Sequence, residues 1–276
     1  MKKLFVLSVI LILAFPLRAT TLIVDQNGGG QFTTIPPAIQ AANPGDTVKV
    51  WPGYYTEQVN LDKDITLMGS GYENTVIVGT SNPMVIMGIG SEILQWFQIT
   101  STGGNGINLS GGTVKNCVII GSSGNGINGS SGTSQVINCV LYQNVGAGIN
   151  VSGGTTNATN CISRLNGNYG YSRGYMGTLS LSYSNGSHLG TSGNVGCVDC
   201  DPPFENPPFD FHIDDPPTPN CSWNTGNPSL PDPDGSIADM GYFGGPDCPI
   251  YPTVVEILIE PNGNNINLTA KARANY

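Results

Sequence analysis

Charge is scarce in this 276-residue chain: Lys, Arg, Asp and Glu make up 11% of it, against about 25% in an ordinary globular protein. Basic residues are the scarcest, 10 against 19 acidic. That excludes nucleic acid as a partner, because neutralising phosphates needs a cationic face. From Ile93 to Val198 there is no Asp or Glu, and the basic residues are Lys115, Arg164 and Arg173, with His188 beside them. Calcium-binding nonapeptide repeats need an Asp in every turn and are therefore excluded there. The strong helix formers Leu, Ala, Lys and Glu are too few for a bundle or a coiled coil. Leucine-rich repeats fail as well, since only Leu109 and Leu141 stand where several Leu per unit are required.

Long apolar runs are also lacking. One exists, Leu4 to Phe15, and its 12 residues fall short of the roughly 20 that a membrane-spanning helix needs. Lys2 and Lys3 precede it, Pro16 breaks it, and Arg18, Ala19 and Thr20 follow, which reads as a secretory signal peptide over residues 1–19. Its removal leaves seven basic against 19 acidic residues, a net charge of −12. The expected product is a secreted or cell-surface protein with no membrane span after signal removal.

What the chain has in abundance is Gly, 38 residues, together with Asn, Ser and Thr. These are arranged in repeats. NGINLSGGTVKNCVIIGSSG from Asn105, NGINGSSGTSQVINCVLYQNVG from Asn125 and AGINVSGGTTNATNCISRLNGN from Ala147 are variants of one unit, with Cys117, Cys139 and Cys161 spaced by 22. Phe97 fits one unit earlier and Tyr183, 22 after Cys161, fits one unit later, giving about five units. Each holds two strand-like runs, such as Gly106 to Leu109 and Cys117 to Ile119, separated by residues that permit left-handed turns. No such strand can bury itself alone, so coils of this length must stack and pair in parallel. The sequence therefore predicts an all-β parallel β-helix.

The Cys column is expected to point inward as small hydrophobes, as free thiols, and the neighbouring Asn116, Asn138 and Asn160 to lie at a turn. There they would form a structural ladder of amides bonded along the axis, with Asn108, Asn128 and Asn150 as a second column. Upstream, Ile35 through Ala42 is apolar at helical spacing and closed by Asn43, Pro44 and Gly45, a short helix suited to capping the first coil.

FTTIPPAIQAANPGDTVKVWPGYYTE resembles the opening of secreted bacterial right-handed parallel β-helix proteins of the pectin-lyase-like superfamily, and WFQIT and NCVII resemble their internal repeats. The segment DPPFENPPFDFHIDD with GNPSLPDPDGSIADMGYFGGP is similar to the closure of such exported proteins. The resemblance implies a right-handed β-helix with an N-terminal cap over residues 20–196. It does not choose an activity, because the superfamily includes lyases, hydrolases and esterases as well as members without known chemistry.

Residues 197–252 hold 13 of the 20 Pro and read as irregular cover over the last coil. Cys197, Cys200, Cys221 and Cys248 lie there, and in an exported segment they suggest two disulfides in one of three pairings, with zinc or free thiols as alternatives. Residues 253–276 read as strand, Asn-Gly turn, strand, resembling the truncated start of a fibronectin type III-like β-sandwich, so the chain is expected to be a fragment of a larger multidomain protein.

Candidate chemistry is thin. Hydrolysis of polysaccharides needs paired carboxylates, which the coils lack. A lyase needs a base, for which Arg164 and Arg173 are the candidates, and Ca²⁺ ligands to neutralise its substrate. Asp232, Asp234 and Asp239 in DPDGSIAD could hold Ca²⁺ or simply make a turn. His212 reads as locally satisfied. Tyr169, Tyr171 and Tyr175 alternate as if on one strand face and are the best candidate for stacking on a sugar. The reading adopted is a monomeric, non-catalytic exported scaffold or adhesion-type module that binds polysaccharide or cell-surface glycan. It needs no cofactor except possible Ca²⁺, and the alternative is a divergent pectate-type lyase.

Overall fold

Three-residue strands survive only when each is paired on both sides, and this chain arranges that by winding. The computed structural model describes residues 19–189, 192–202, 204–213, 222–248, 251–262 and 265–275. The expected leader lies outside them except for Ala19. Among the described residues no helix is long and apolar enough to cross a membrane.

Each coil contributes three strands to three parallel faces. The first face runs from Thr21–Val24 through Thr47–Val50, Thr66–Met68, Ile93–Gln95, Thr113–Lys115 and Thr133–Ile137. The second holds Gly53–Tyr55, Thr75–Gly79, Gln98–Ser101, Val118–Ile120, Val140–Tyr142 and Ile162–Arg164. The third holds Val59–Leu61, Val85–Met87, Ile107–Leu109 and Ile127–Gly129. Ile149–Thr159 and Tyr171–Ser182 are long strands that turn the corner from third to first face without a break, and Ser192–Val195 closes the first face. The register follows the sequence repeat, Ile107 opposite Ile127 and Ile127 opposite Ile149. Each coil has three strands, the two runs named from the sequence and a third. The one overlooked, Thr113–Lys115 and its equivalents, shows one buried apolar residue between two polar ones, too short a pattern to stand out.

The lumen is filled by one residue from each short first- and second-face strand, such as Val114 and Val136 or Ile119 and Leu141, and by two from the third-face strands, such as Ile107 and Leu109, with Cys117, Cys139 and Cys161 among them, all fully buried. Each thiol donates to the carbonyl two residues back on its own chain, at 3.4, 3.3 and 3.3 Å. Burial pushes the Cys117 thiol up to about 12, so it stays protonated and inert. Helix Ile35–Ala41 lies at the start of the stack with Ile35, Ala38 and Ile39 buried. Its first N–H is satisfied by Glu57 Oε1 at 2.9 Å, a residue 22 positions away, instead of by a side chain at its N-cap.

The last coils depart from the repeat. Ile162 bridges Asn185, and Asn185 bridges Val198, which places Ser184, not Tyr183, below Cys161, and Cys197 below Ser184. The final coil is short, 13 residues from Ser184 to Cys197. Cys197 is thus the end of the sulfur column, a half-buried free thiol packed on the lumen cluster. Cys248 is buried and free as well, whereas Cys200 is disulfide-bonded. Two disulfides among the four are therefore corrected: at most one exists, because Cys197 belongs to the solenoid and Cys248 is enclosed beside Asp232 and Asp239. Cys221 lies outside the described residues.

The described part of the closing segment touches the last coil at Asn185 and extends well beyond it. It runs back along the outside of the second face, from Ser222, bonded to Asn185, to Asp247, bonded to Trp96 and Lys115. The reason lies in the second face, whose strands are apolar on both sides: Val118, Val140 and Ile162 point outward into a cluster with Tyr72, Tyr142, Phe211, Met240, Tyr242 and Phe243. Part of the cover is a hairpin, Phe204–Asn206 with Asp210–Ile213. The aromatic rings meet edge to face, Tyr72 on Tyr242 at 4.7 Å and Phe204 on Phe211 at 5.0 Å. Further on, Tyr251–Asn262 and Asn265–Asn275 pair as an antiparallel hairpin. The residues of the expected turn, 263–264, lie outside the described ones.

Candidate functional site

The Asn column of the sequence has a different use from the one expected. Asn116, Asn138 and Asn160 all take left-handed backbone at φ 44, 51 and 54°, a conformation that Asn tolerates better than other side chains. Their amides do not bond to one another. Asn116 donates to the Tyr242 and Gly244 carbonyls at 2.7 and 3.1 Å. Asn138 donates to Asp239 and Gly241, and Asn160 accepts from the Asn227 N–H at 2.7 Å. They are clasps for the closing segment. The turn places them on its path, so a partner across the corner wins over the next Asn along the axis. The second column does bond axially: Asn150 donates to Asn128 at 3.0 Å, and Ser172 to Asn150 at 2.9 Å.

Arg164 reaches out from the second face into two carboxylates. It bonds Asp199 at 2.6 Å and also Asp201, with only 18% of its side chain exposed. Both terminal nitrogens are taken up by aspartates and neither is turned to a substrate, so its candidacy as a proton-abstracting base falls. Carboxylates absent from the coil sequence thus arrive from the closing segment, Asp199 and Asp201 at Arg164 and Asp247 at Lys115. Arg173 is exposed on the third face, donating to the Gly177 carbonyl at 3.4 Å.

Asp232, Asp234 and Asp239 serve the closing segment's own backbone. Asp232 accepts from Gly245 and Asp239 N–H groups, Asp239 from Asn224 at 2.6 Å, and Asp234 from Ser236. Desolvation pushes Asp232 up to about 6 and Asp239 up to about 7, against those hydrogen bonds. Among the described residues no three Asp, Glu, His or Cys side chains come together as a metal site. His212 is oriented by Asp210, Nδ1 to Oδ1 2.6 Å, and stacks on Phe243 at 3.6 Å. Burial opposes the Asp210 charge, but hydrogen bonds from His212 hold its carboxyl below the usual range.

The tyrosine group is split. Tyr171 is fully buried, its hydroxyl donating to the Cys161 carbonyl at 2.8 Å, so it is core and not ligand surface. Tyr169 and Tyr175 are 42% and 101% exposed. Alternation fails because the strand carries an extra residue: Val151 faces Arg173, but Gly153 faces Met176. This bulge swings Tyr175 out at the corner. Tyr169 lies just before the strand, so the two exposed tyrosines stand on either side of Ser172 along the chain.

Between and before them extends the outer surface of the third face. Its middle column is Asn60, Ile86, Asn108, Asn128, Asn150 and Ser172 in strict register. Ser110, Ser130 and Ser152 line one side of it, with Ser110 and Ser130 hydroxyls 3.0 Å apart. From Asn105 to Ser172 the charged residues are Lys115 and Arg164, both on the other two faces, and the exposed Arg173 follows directly after Ser172 on this one. Rows of amides and hydroxyls repeat at the rung spacing of about 4.8 Å. Asn108, Asn128 and Asn150 are the second column expected from the sequence, and the Ser row beside them recurs at the same coil period.

No protein-family model matches the chain, nor does any curated protein sequence. Among solved structures it is similar to a pectin methylesterase from carrot, with TM-score 0.46, 14% identity, 65% of this chain and 63% of that one. It is also similar to the pectin methylesterase PemA from Erwinia chrysanthemi, with TM-score 0.40, 13% identity and 66% of each chain. The chain spans just under two thirds of the length of these enzymes. Likeness at this level assigns no activity; the parallel β-helix is read from the chain's own strand register.

Proposed function

We propose that this chain is an exported, non-catalytic β-helix module that holds a neutral polysaccharide along the outer side of its third face. The observation that carries the reading is the register-matched row Asn108, Asn128, Asn150 and Ser172, ending between the exposed rings of Tyr169 and Tyr175. Amides and hydroxyls at a constant interval match the hydroxyls of an extended sugar chain, and an exposed ring stacks on a sugar's apolar side. Asn108, Asn128, Asn150 and Ser172 carry no charge, Arg173 alone stands beside the end of the row, and the net charge of −9 on the whole chain disfavours a polyanion. The lyase alternative loses Arg164, which is tied to Asp199 and Asp201.

The test is binding to a panel of neutral and acidic polysaccharides by affinity electrophoresis and calorimetry. Retention by neutral chains is expected, and Tyr169→Ala or Tyr175→Ala should each weaken it by about 1 kcal/mol, roughly fivefold. No retention on any polymer, or binding untouched by both substitutions, would contradict the reading.

A further inference from the structure

We propose that Asp64 and Glu92 hold a divalent cation of the calcium class at the corner between the third and first faces, a site separate from the glycan surface. Glu92 ends the loop Gly88 to Glu92 that joins Val85–Met87 to Ile93–Gln95. Asp64 occupies the corresponding turn one coil earlier, between Val59–Leu61 and Thr66–Met68. Glu92 is only 1% exposed. Its Oε1 accepts one long bond, 3.3 Å from the Gly90 N–H, and its buried Oε2 has no partner.

The two carboxylates converge. A Cβ placed on Gly90 would strike Asp64 Oδ1 and lie 3.0 Å from Glu92 Oε1, so both oxygens border the same point. Asp64 Oδ1 also accepts the Ser91 N–H at 2.6 Å, which fixes it there. Oε2 faces Gly112 on the next coil, where a Cβ would stand 2.9 Å away. A side chain there would collide, and its absence gives the carboxylate its room. The nearest cation does not help: Lys63 Nζ is turned to the capping helix, donating to the Gln40 and Ala42 carbonyls at 2.6 and 2.9 Å.

A buried carboxylate with a bare oxygen and a second carboxylate beside it is a costly arrangement in water-poor surroundings. A cation relieves both the missing partner and the repulsion. Among the described residues no third Asp, Glu, His or Cys joins them, so the remaining ligands would be backbone carbonyls and water. Calcium accepts such a mixed, irregular oxygen set, whereas magnesium demands a near-ideal octahedron. Two carboxylates with neutral ligands correspond to the weak, extracellular range of affinity, Kd about 10⁻⁴ to 10⁻³ M.

The experiment uses the full chain stripped with chelator, with CaCl₂ and MgCl₂ titrated by calorimetry and by thermal unfolding. Saturable Ca²⁺ binding with one site, a rise in Tm, and at least a tenfold weakening in both Glu92→Gln and Asp64→Asn are expected. Asp64→Asn keeps the acceptor for Ser91 and guards against loss of folding in the first variant. The proposal is overturned if the chain binds no Ca²⁺, or if both variants bind it as the parent does. Polysaccharide binding by the Tyr169 side is read separately, so either idea can fail alone.

Discussion

The second and third faces are built from the same coils at the same period, yet one is interior and the other is surface. On the second, the outward residues Val118, Val140 and Ile162 continue the apolar character of the inward Ile119 and Leu141. On the third, the outward residues are Asn108, Asn128 and Asn150 opposite inward Ile107, Ile127 and Ile149. The lumen is indifferent to this choice. What lies outside a rung is decided by one or two residues per strand, Asn128 on the third face against Val140 and Tyr142 on the second, and these determine whether the rung recruits the closing segment or stays open to ligand.

The contrast is broken most severely at Val140. Val140→Asp puts an uncompensated charge beneath Tyr142 and Phe211 and should cost about 3 kcal/mol or more, measured by denaturant unfolding. The matched change on the other side, Asn128→Asp, should cost less than about 0.5 kcal/mol. Equal losses would mean that the closing segment does not seal the second face. Next in size, Asn138→Ala removes two bonds to the closing segment and a left-handed residue, for about 2 kcal/mol; Asn138→Gly, which keeps the backbone geometry, should recover part of it.

A smaller effect is expected from pH. Asp232 and Asp239 have folded values raised to about 6 and about 7 from 3.8, so the folded form holds more protons than the unfolded one in between. Their contribution is therefore fully favourable below about pH 4 and is lost as pH rises to about 7. Asp239→Asn should flatten that slope in unfolding curves taken from pH 5 to pH 8, with little change at pH 5. The third face carries no such group between Asn105 and Ser172 and should show no matching dependence.

The repeat, the inward sulfur column and the capping helix were legible because each rests on spacing: 22 residues between cysteines, three or four between Ile35, Ala38 and Ile39. The path of the closing segment was not, because nothing in the coil sequence says that a carbonyl from Tyr242 will meet Asn116 at a distance of 126 residues. VII and VLY did carry a trace of it, since a strand with one solvent face would have alternated. Tyr171 and Tyr175 were grouped by alternation, and the extra residue between Arg173 and Met176, which periodic reasoning cannot see, separates them by swinging Tyr175 out. Cys197 was assigned to the closing segment because the final coil is short and breaks the count. Glu92 drew no attention, since a lone acid in a Gly-rich loop looks like solvent-facing polarity until its burial is known.

Hydroxyl-radical footprinting of the tyrosines tests the division of the two faces most directly. Tyr169 and Tyr175 should oxidise rapidly and become protected by a bound neutral polysaccharide, while Tyr72, Tyr142, Tyr171 and Tyr242 stay unmodified throughout. Oxidation of Tyr72 and Tyr142 at the rate of Tyr175 would show that the second face is uncovered, and the account would be wrong.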